Sequence, residues 1–191
     1  MMLRIGLTLG RSRVNGPGER FVVWTQGCSL CCPGCFNQDL WSPEGGTAVD
    51  IMELARRIHA TPSLRGVTVS GGEPLDQPDG VAALLDALEP RLDSVVFTGY
   101  AFEEVSADPR KKAVLERTDL LVAGRFEAAS ACGSPPWAGS SNQTAHRLSG
   151  RVRPEEWPDL AVEAHVHPDG SATVTGFPSG GLLRGLKRNR R

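Results

Sequence analysis

The 191-residue chain has no long apolar run, few aromatic residues (6%) and almost no net charge. Without about 18–20 consecutive apolar residues, nothing in it reads as a membrane span. Its 21 Lys and Arg nearly balance 22 Asp and Glu, for a formal charge of −1. That balance gives no electrostatic reason to expect nucleic acid or an acidic membrane as the main partner. The opening run, Met-Met-Leu-Arg-Ile-Gly-Leu-Thr-Leu-Gly, lacks the longer apolar stretch and small-residue cleavage site of a secretory signal. A cytoplasmic location is therefore expected, where thiols stay reduced. No internal repeat is present. A content of 40% hydrophobic and 23% charged residues excludes a disordered or fibrous chain, and the length suffices for one core without disulfide staples.

What the chain has in abundance is punctuation. Gly (22) and Pro (14) together exceed the usual share of about 12% and predict many tight turns. Leu3 to Gln26 reads as two extended stretches, the second, Arg20 to Trp24, following a Gly16-Pro17-Gly18 turn. From Val49 to Ile58 the apolar residues Ile51, Leu54, Ala55 and Ile58 fall at helical spacing. Gly66 to Val69 reads as a strand, Val81 to Leu88 as a helix, Ser94 to Thr98 as a strand, Pro109 to Arg117 as a helix and Asp119 to Ala123 as a strand. This alternation predicts an α/β fold with a mostly parallel sheet. Glu127 to Ser141 reads as a long loop. Ala161 to His167 and Ser171 to Phe177 flank Pro168-Asp169-Gly170, a hairpin signal. The residues around Arg184, Lys187, Arg188, Arg190 and Arg191 read as a basic tail. His59, His165 and His167 read as structural.

Four of the five cysteines, Cys28, Cys31, Cys32 and Cys35, fall within eight residues. Adjacent Cys31 and Cys32 make a poor disulfide framework, so in a reducing compartment the cluster reads as a metal site. All four could hold one zinc ion, although four thiolates from one short run would strain a tetrahedron. Alternatively, Cys28-x3-Cys32-x2-Cys35 could hold three corners of a cubane iron–sulfur cluster, with Cys31 a bystander and the fourth iron open. Cys132 stands apart and reads as a bystander too.

The same three-and-two spacing is similar to the hallmark of the radical S-adenosylmethionine (SAM) enzymes. The segment from Asn15 through Cys28 to Asn37 resembles the branch of proteins that activate anaerobic ribonucleoside-triphosphate reductase. So do Val69 to Leu75, Thr98-Gly99-Tyr100, Asp119 to Phe126 and Gly139 to Gln143, in that order. The resemblance spans Ile5 to Leu148. It implies one [4Fe-4S] cluster on Cys28, Cys32 and Cys35, whose open iron is chelated by the amino and carboxylate groups of SAM. One electron from a flavodoxin- or ferredoxin-type donor then yields a 5′-deoxyadenosyl radical, which makes a glycyl radical on a partner enzyme, here expected to be anaerobic ribonucleotide reductase.

The resemblance further implies SAM contacts at Gly71, Gly72, Glu73 and Pro74. Two glycines there would let backbone carbonyls approach the SAM ammonium group. Gly34, Phe36 and Asn37 beside the third cysteine are expected at the adenine. Thr98 is expected in the same pocket, and Asn142 with Gln143 on SAM or on the partner backbone. His146 stands where the family tends to carry His. The implied fold is an incomplete (β/α) barrel of mostly parallel strands, since a full one needs about 250 residues. Residues 1–149 form the expected core domain and 150–191 a hairpin extension with a basic tail, beyond the usual end of the branch. A radical SAM enzyme acting directly on a peptide or small molecule, an electron carrier without SAM cleavage, and a zinc-binding interaction module remain as alternatives.

Overall fold

The computed structural model describes residues 1–131, 135–159, 162–166, 169–170 and 172–176. Cys132, His167 and the basic tail lie outside the described residues. A seven-stranded sheet carries the fold. Its strands are β1 (Met2–Ser12), β2 (Arg20–Thr25), β3 (Thr47–Asp50), β4 (Gly66–Gly71), β5 (Asp93–Thr98), β6 (Leu120–Ala123) and β7 (Thr144–Arg147), in the order β3-β1-β2-β4-β5-β6-β7. The centre, β2-β4-β5-β6, is parallel, whereas β1 joins β2, β3 joins β1 and β7 joins β6 antiparallel. The mostly parallel α/β sheet expected from the alternating pattern is present. β3 and β7 do not pair with each other, so the sheet is open.

The central strands are apolar on both faces because both faces are covered. On one face, four helices pack into a common cluster with Leu3, Phe21, Val23, Val67, Val69, Val96 and Leu121. They are α1 (Ile51–His59), α2 (Pro78–Asp86), α3 (Phe102–Ala107) and α4 (Pro109–Leu115). In α1 the residues at helical spacing, Ile51, Leu54, Ala55 and Ile58, are the buried ones, and Asp50 caps the helix by accepting from the Met52 and Glu53 N–H groups. On the other face, Val95 and Leu120 pack with Val152 and Trp157. The segment after β7 therefore covers the sheet. The Trp157 indole N–H donates to the Val14 carbonyl at 3.2 Å. A separate antiparallel pair, β8 (Val162–Val166) and β9 (Ala172–Gly176), is tied to the loop after β1. There the Ser12 hydroxyl donates to Glu163 and the Asn15 amide to the Thr175 hydroxyl.

Three elements escape a pattern-based reading. Val49 belongs to β3, opposite Leu3, and not to the helix expected from it. β7 is largely exposed and polar, so nothing alternates visibly. α3 buries Val105 alone. Among the described residues no helix is long and apolar enough to cross a membrane.

The four parallel strands end side by side at Thr25, Gly71, Thr98 and Ala123, which gathers the following loops on one edge, where open α/β sheets bind ligands. The opposite end is held by a buried ion pair. Arg20, wholly buried, donates to the Thr68 hydroxyl and to the Pro17 and Val67 carbonyls. Its Nη2 meets Asp93 Oδ1 at 2.6 Å as an ion pair and not an aligned hydrogen bond. Burial pulls the guanidinium's pKa down and Asp93 opposes it. Asp93→Ala leaves that cation unpaired in the core. We expect it to cost about 3–5 kcal/mol in urea denaturation of the apoprotein.

Candidate functional site

The loop bearing the cysteines begins where β2 ends. The Gly27 N–H donates to the Leu40 carbonyl at 2.9 Å and the Cys28 N–H to that of Trp41 at 3.0 Å, so the chain returns to its starting point. Inside the loop, the Cys35 N–H donates to the Cys32 carbonyl at 3.1 Å, closing a tight turn over Pro33 and Gly34. Gly34 has φ +79°, the left-handed position that a Pro-Gly turn demands of its second central residue. That requirement explains why glycine precedes Cys35. Cys31 also lies in the left-handed region, at φ 42°, and its thiol donates back to the Cys28 carbonyl at 3.0 Å.

Cys28, Cys32 and Cys35 are half-buried free thiols and Cys31 is exposed. Burial pushes the Cys28 thiol up, and the carboxylates of Glu73 and Asp76 add to that; backbone donors from Cys31 and Leu30 oppose it. Among the described residues no three His, Cys, Asp or Glu side chains are grouped as ligands of one ion. The donor set fits an iron–sulfur cubane, whose thiolates sit on separate irons: three thiols share one closed loop, and the fourth is turned back onto its own backbone. The Asn37 N–H points at Cys35 Sγ (3.4 Å), the kind of donor that tunes a cluster sulfur.

The turn after β4 is packed against the base of this loop. The Gly72 N–H donates to the Thr25 carbonyl and the Glu73 N–H to that of Gly27, each at 2.8 Å. A side chain at Gly72 would start 2.1 Å from the Gly27 carbonyl oxygen. Gly71 has φ +123°, and a Cβ there would lie 2.2 Å from the Thr25 nitrogen. The two glycines are thus required by backbone contact, Gly71 with the end of β2 and Gly72 with the cysteine loop. Pro74 is buried beside them.

Glu73 faces inward. Its buried carboxylate accepts from the Thr98 hydroxyl (2.7 Å), the Gly99 N–H (2.7 Å) and the Leu75 N–H (2.9 Å). Both of its oxygens are engaged within the chain, and they tie β4 to β5. Thr98, buried as well, spends its hydroxyl on Glu73. Desolvation pushes Glu73 up to about 7, against the three donors that favour its charged form.

The remaining expected residues ring the loop. Phe36 is exposed, its ring centroid 5.3 Å from that of Phe126. Phe126 also lies near Gly34. The Asn37 amide donates to the Gly71 carbonyl at 3.4 Å. Asn142 donates to the Arg125 carbonyl and Gln143 to that of Gly124, so both brace the end of β6. His146 stacks on Phe102 at 4.4 Å. A cleft of about 420 Å³ opens beside Cys28, walled by Arg4, Gln26, Trp41, Asp76 and Gln77. Sequence reading singles out none of these five, since their proximity comes from β1 and the loop's return and no local motif records it.

Comparison with known proteins identifies a family and several relatives. The family model of the 4Fe-4S single cluster domain matches residues 14–146. The anaerobic ribonucleoside-triphosphate reductase-activating protein of Pasteurella multocida (strain Pm70) is 34% identical over 146 residues, covering 71% of this chain and 92% of that protein. Its namesake in Haemophilus influenzae is 35% identical over 145 residues, with the same shares. Among solved structures, QueE from Escherichia coli superposes on 52% of this chain and 53% of its own, with a TM-score of 0.44 and 18% identity.

Two outcomes are expected. Gly72→Ala has no room without moving the Gly27 carbonyl, so it costs about 1–3 kcal/mol in chemical denaturation and lowers iron uptake on reconstitution. The Glu73 carboxyl holds its proton more tightly folded than unfolded, so its contribution to stability falls as pH rises from 4.5 towards 7. Denaturation of the apoprotein at a series of pH values should show a loss of about 3 kcal/mol from this group. Glu73→Gln removes that part of the slope.

Proposed function

We propose, on the premise that the chain belongs to the 4Fe-4S single cluster domain family and to the family of the anaerobic ribonucleoside-triphosphate reductase-activating proteins, that it is a radical SAM activase for a glycyl-radical enzyme. The partner is an anaerobic ribonucleoside-triphosphate reductase. The observation that carries this reading is the closed loop with Cys32 and Cys35 on one Pro-Gly turn, Cys28 at its foot and Cys31 bonded back to Cys28. A [4Fe-4S] cluster held by Cys28, Cys32 and Cys35 would supply the one-electron reductive cleavage of SAM, and through it the removal of a hydrogen atom from a partner glycine.

The residues of this chain divide the work. Cys28, Cys32 and Cys35 ligate three irons as thiolates. The carbonyls at Gly71 and Gly72 receive the SAM ammonium group, on a backbone that their missing side chains allow to come close. Phe36 and the backbone from Gly34 to Phe36 receive the adenine, with Asn37 and Asn142 as polar neighbours. Glu73 and Thr98 hold the two strand ends in register behind them, and Pro74 stiffens the turn. Residues 1–149 form this catalytic core as an incomplete barrel, and 150–191 form an extension, of which Val152 and Trp157 cover the sheet. An open side admits a glycine-bearing loop of the partner, and a redox protein of the flavodoxin or ferredoxin type supplies the electron in a reducing cytoplasm.

The test is anaerobic reconstitution with iron and sulfide, followed by SAM, a reductant and the candidate reductase. Cys28→Ala, Cys32→Ala and Cys35→Ala should each lose the cluster and every trace of the glycyl-radical signal in electron paramagnetic resonance. Cys31→Ala should keep both. A wild-type protein that consumes SAM but radicalises no candidate partner would remove the activase assignment.

A further inference from the structure

Asp76 has no part in the function described above, yet it joins three pieces of the site. It lies three residues after Glu73 on the same short 3₁₀ turn, Pro74–Asp76. Where Glu73 turns inward to β5, Asp76 turns outward to the cysteine loop. Its carboxylate accepts the Ser29 backbone N–H at 2.7 Å, the Ser29 hydroxyl at 2.9 Å and the Tyr100 hydroxyl at 2.9 Å. Because both hydroxyls donate to the carboxylate, the 3.2 Å contact between Ser29 and Tyr100 carries no proton of its own. Tyr100 is the sole tyrosine of the chain, and its ring lies under the Lys111 ammonium, 4.6 Å from the centroid. Lys111 is in turn paired with Asp108 at 2.7 Å. Asp76 thus has a neighbour fixed by packing and charge on one side and the first residue after Cys28 on the other.

Resting on the cluster reading of Cys28, we propose that Asp76 is a positioning residue for the cysteine loop, which pins Ser29 and thereby holds Cys28 at the iron-binding mouth. The rest of the loop's foot is held by backbone bonds to Leu40 and Trp41 on the returning side; Asp76 supplies the hold on the outgoing side. Asp76 is itself exposed, so its removal takes away the anchor without opening the core. Charge-assisted bonds are stronger than neutral ones, which suits a carboxylate to this task better than an amide.

The test reads Cys28 directly and does not need the loaded enzyme. In the reduced apoprotein, alkylation of each cysteine is followed by mass spectrometry, with Cys35 as the internal reference. Asp76→Ala should keep the wild-type circular dichroism and raise the rate at Cys28 by about tenfold, the loss of two or three modest hydrogen bonds. Asp76→Asn should fall between, since it keeps an acceptor but not the charge. Ser29→Ala combined with Tyr100→Phe removes two of the three bonds but keeps the Asp76 charge, which by itself raises the Cys28 thiol; it must also speed alkylation at Cys28, and it serves alone should Asp76→Ala fail to fold. In reconstituted protein, Asp76→Ala should lose iron to a chelator faster than wild type. Unchanged Cys28 alkylation in the folded variants overturns the proposal. A wild-type protein that takes up no iron–sulfur cluster overturns the reading beneath it, while the alkylation result still decides whether Asp76 anchors the loop.

Discussion

Gly72 occupies a place where no other residue fits, because a Cβ would start 2.1 Å from the Gly27 carbonyl oxygen and 2.8 Å from that of Leu40. The rest of the site follows from that contact. It lets the end of β4 press against both legs of the cysteine loop at once, so the loop is seated on the sheet as well as closed on itself. Two bonds, from Gly72 to Thr25 and from Glu73 to Gly27, then fix the residues immediately before Cys28. Behind them the buried Glu73 carboxylate fixes the end of β5 to the same turn. That carboxylate stabilises the arrangement through its three donors but resists ionisation in its dry surroundings. The arrangement therefore couples the sulfur-bearing loop to the central sheet through backbone contacts.

The parallel centre was legible in the sequence because its strands are buried on both faces and read as short apolar runs between glycines and helical spacings. The cysteine loop was legible for a different reason. Its chemistry needs particular residue types at fixed separations, and the Pro33-Gly34 turn that brings Cys32 and Cys35 together is itself a local signal. What the sequence did not disclose depends on contacts between distant segments. Thr144 to Arg147 becomes β7 because β6 offers it an edge, not because it alternates. Glu73 reads as a SAM contact in a motif, and only the position of Thr98 and Gly99 shows that its carboxylate braces β4 to β5. Asn142 and Gln143 read as contacts of SAM or of the partner backbone, and only the fold shows that their amides serve the carbonyls of Arg125 and Gly124.

The segment beyond residue 149 lies past residues 14–146, the stretch that the family model matches. Val152 and Trp157 bury themselves on Val95 and Leu120, on the face of the sheet that the helices leave open. Phe97, Trp137 and Trp157 meet there as an aromatic layer, with centroid separations of 6.0 and 6.2 Å. Arg65 links the same segment to the ion pair at the far end of the sheet through Glu156 and Asp93. A surface that would otherwise be apolar and exposed is thus covered by the chain itself.

The central claim is that three thiolates leave one iron of a cubane open for SAM. Mössbauer spectroscopy of protein reconstituted with ⁵⁷Fe tests it most directly. The account predicts a [4Fe-4S] spectrum in which one iron of the four changes its isomer shift and quadrupole splitting when SAM is added, in wild type and in Cys31→Ala alike. A spectrum that SAM leaves untouched, or one whose fourth iron is lost or altered by Cys31→Ala alone, would contradict it.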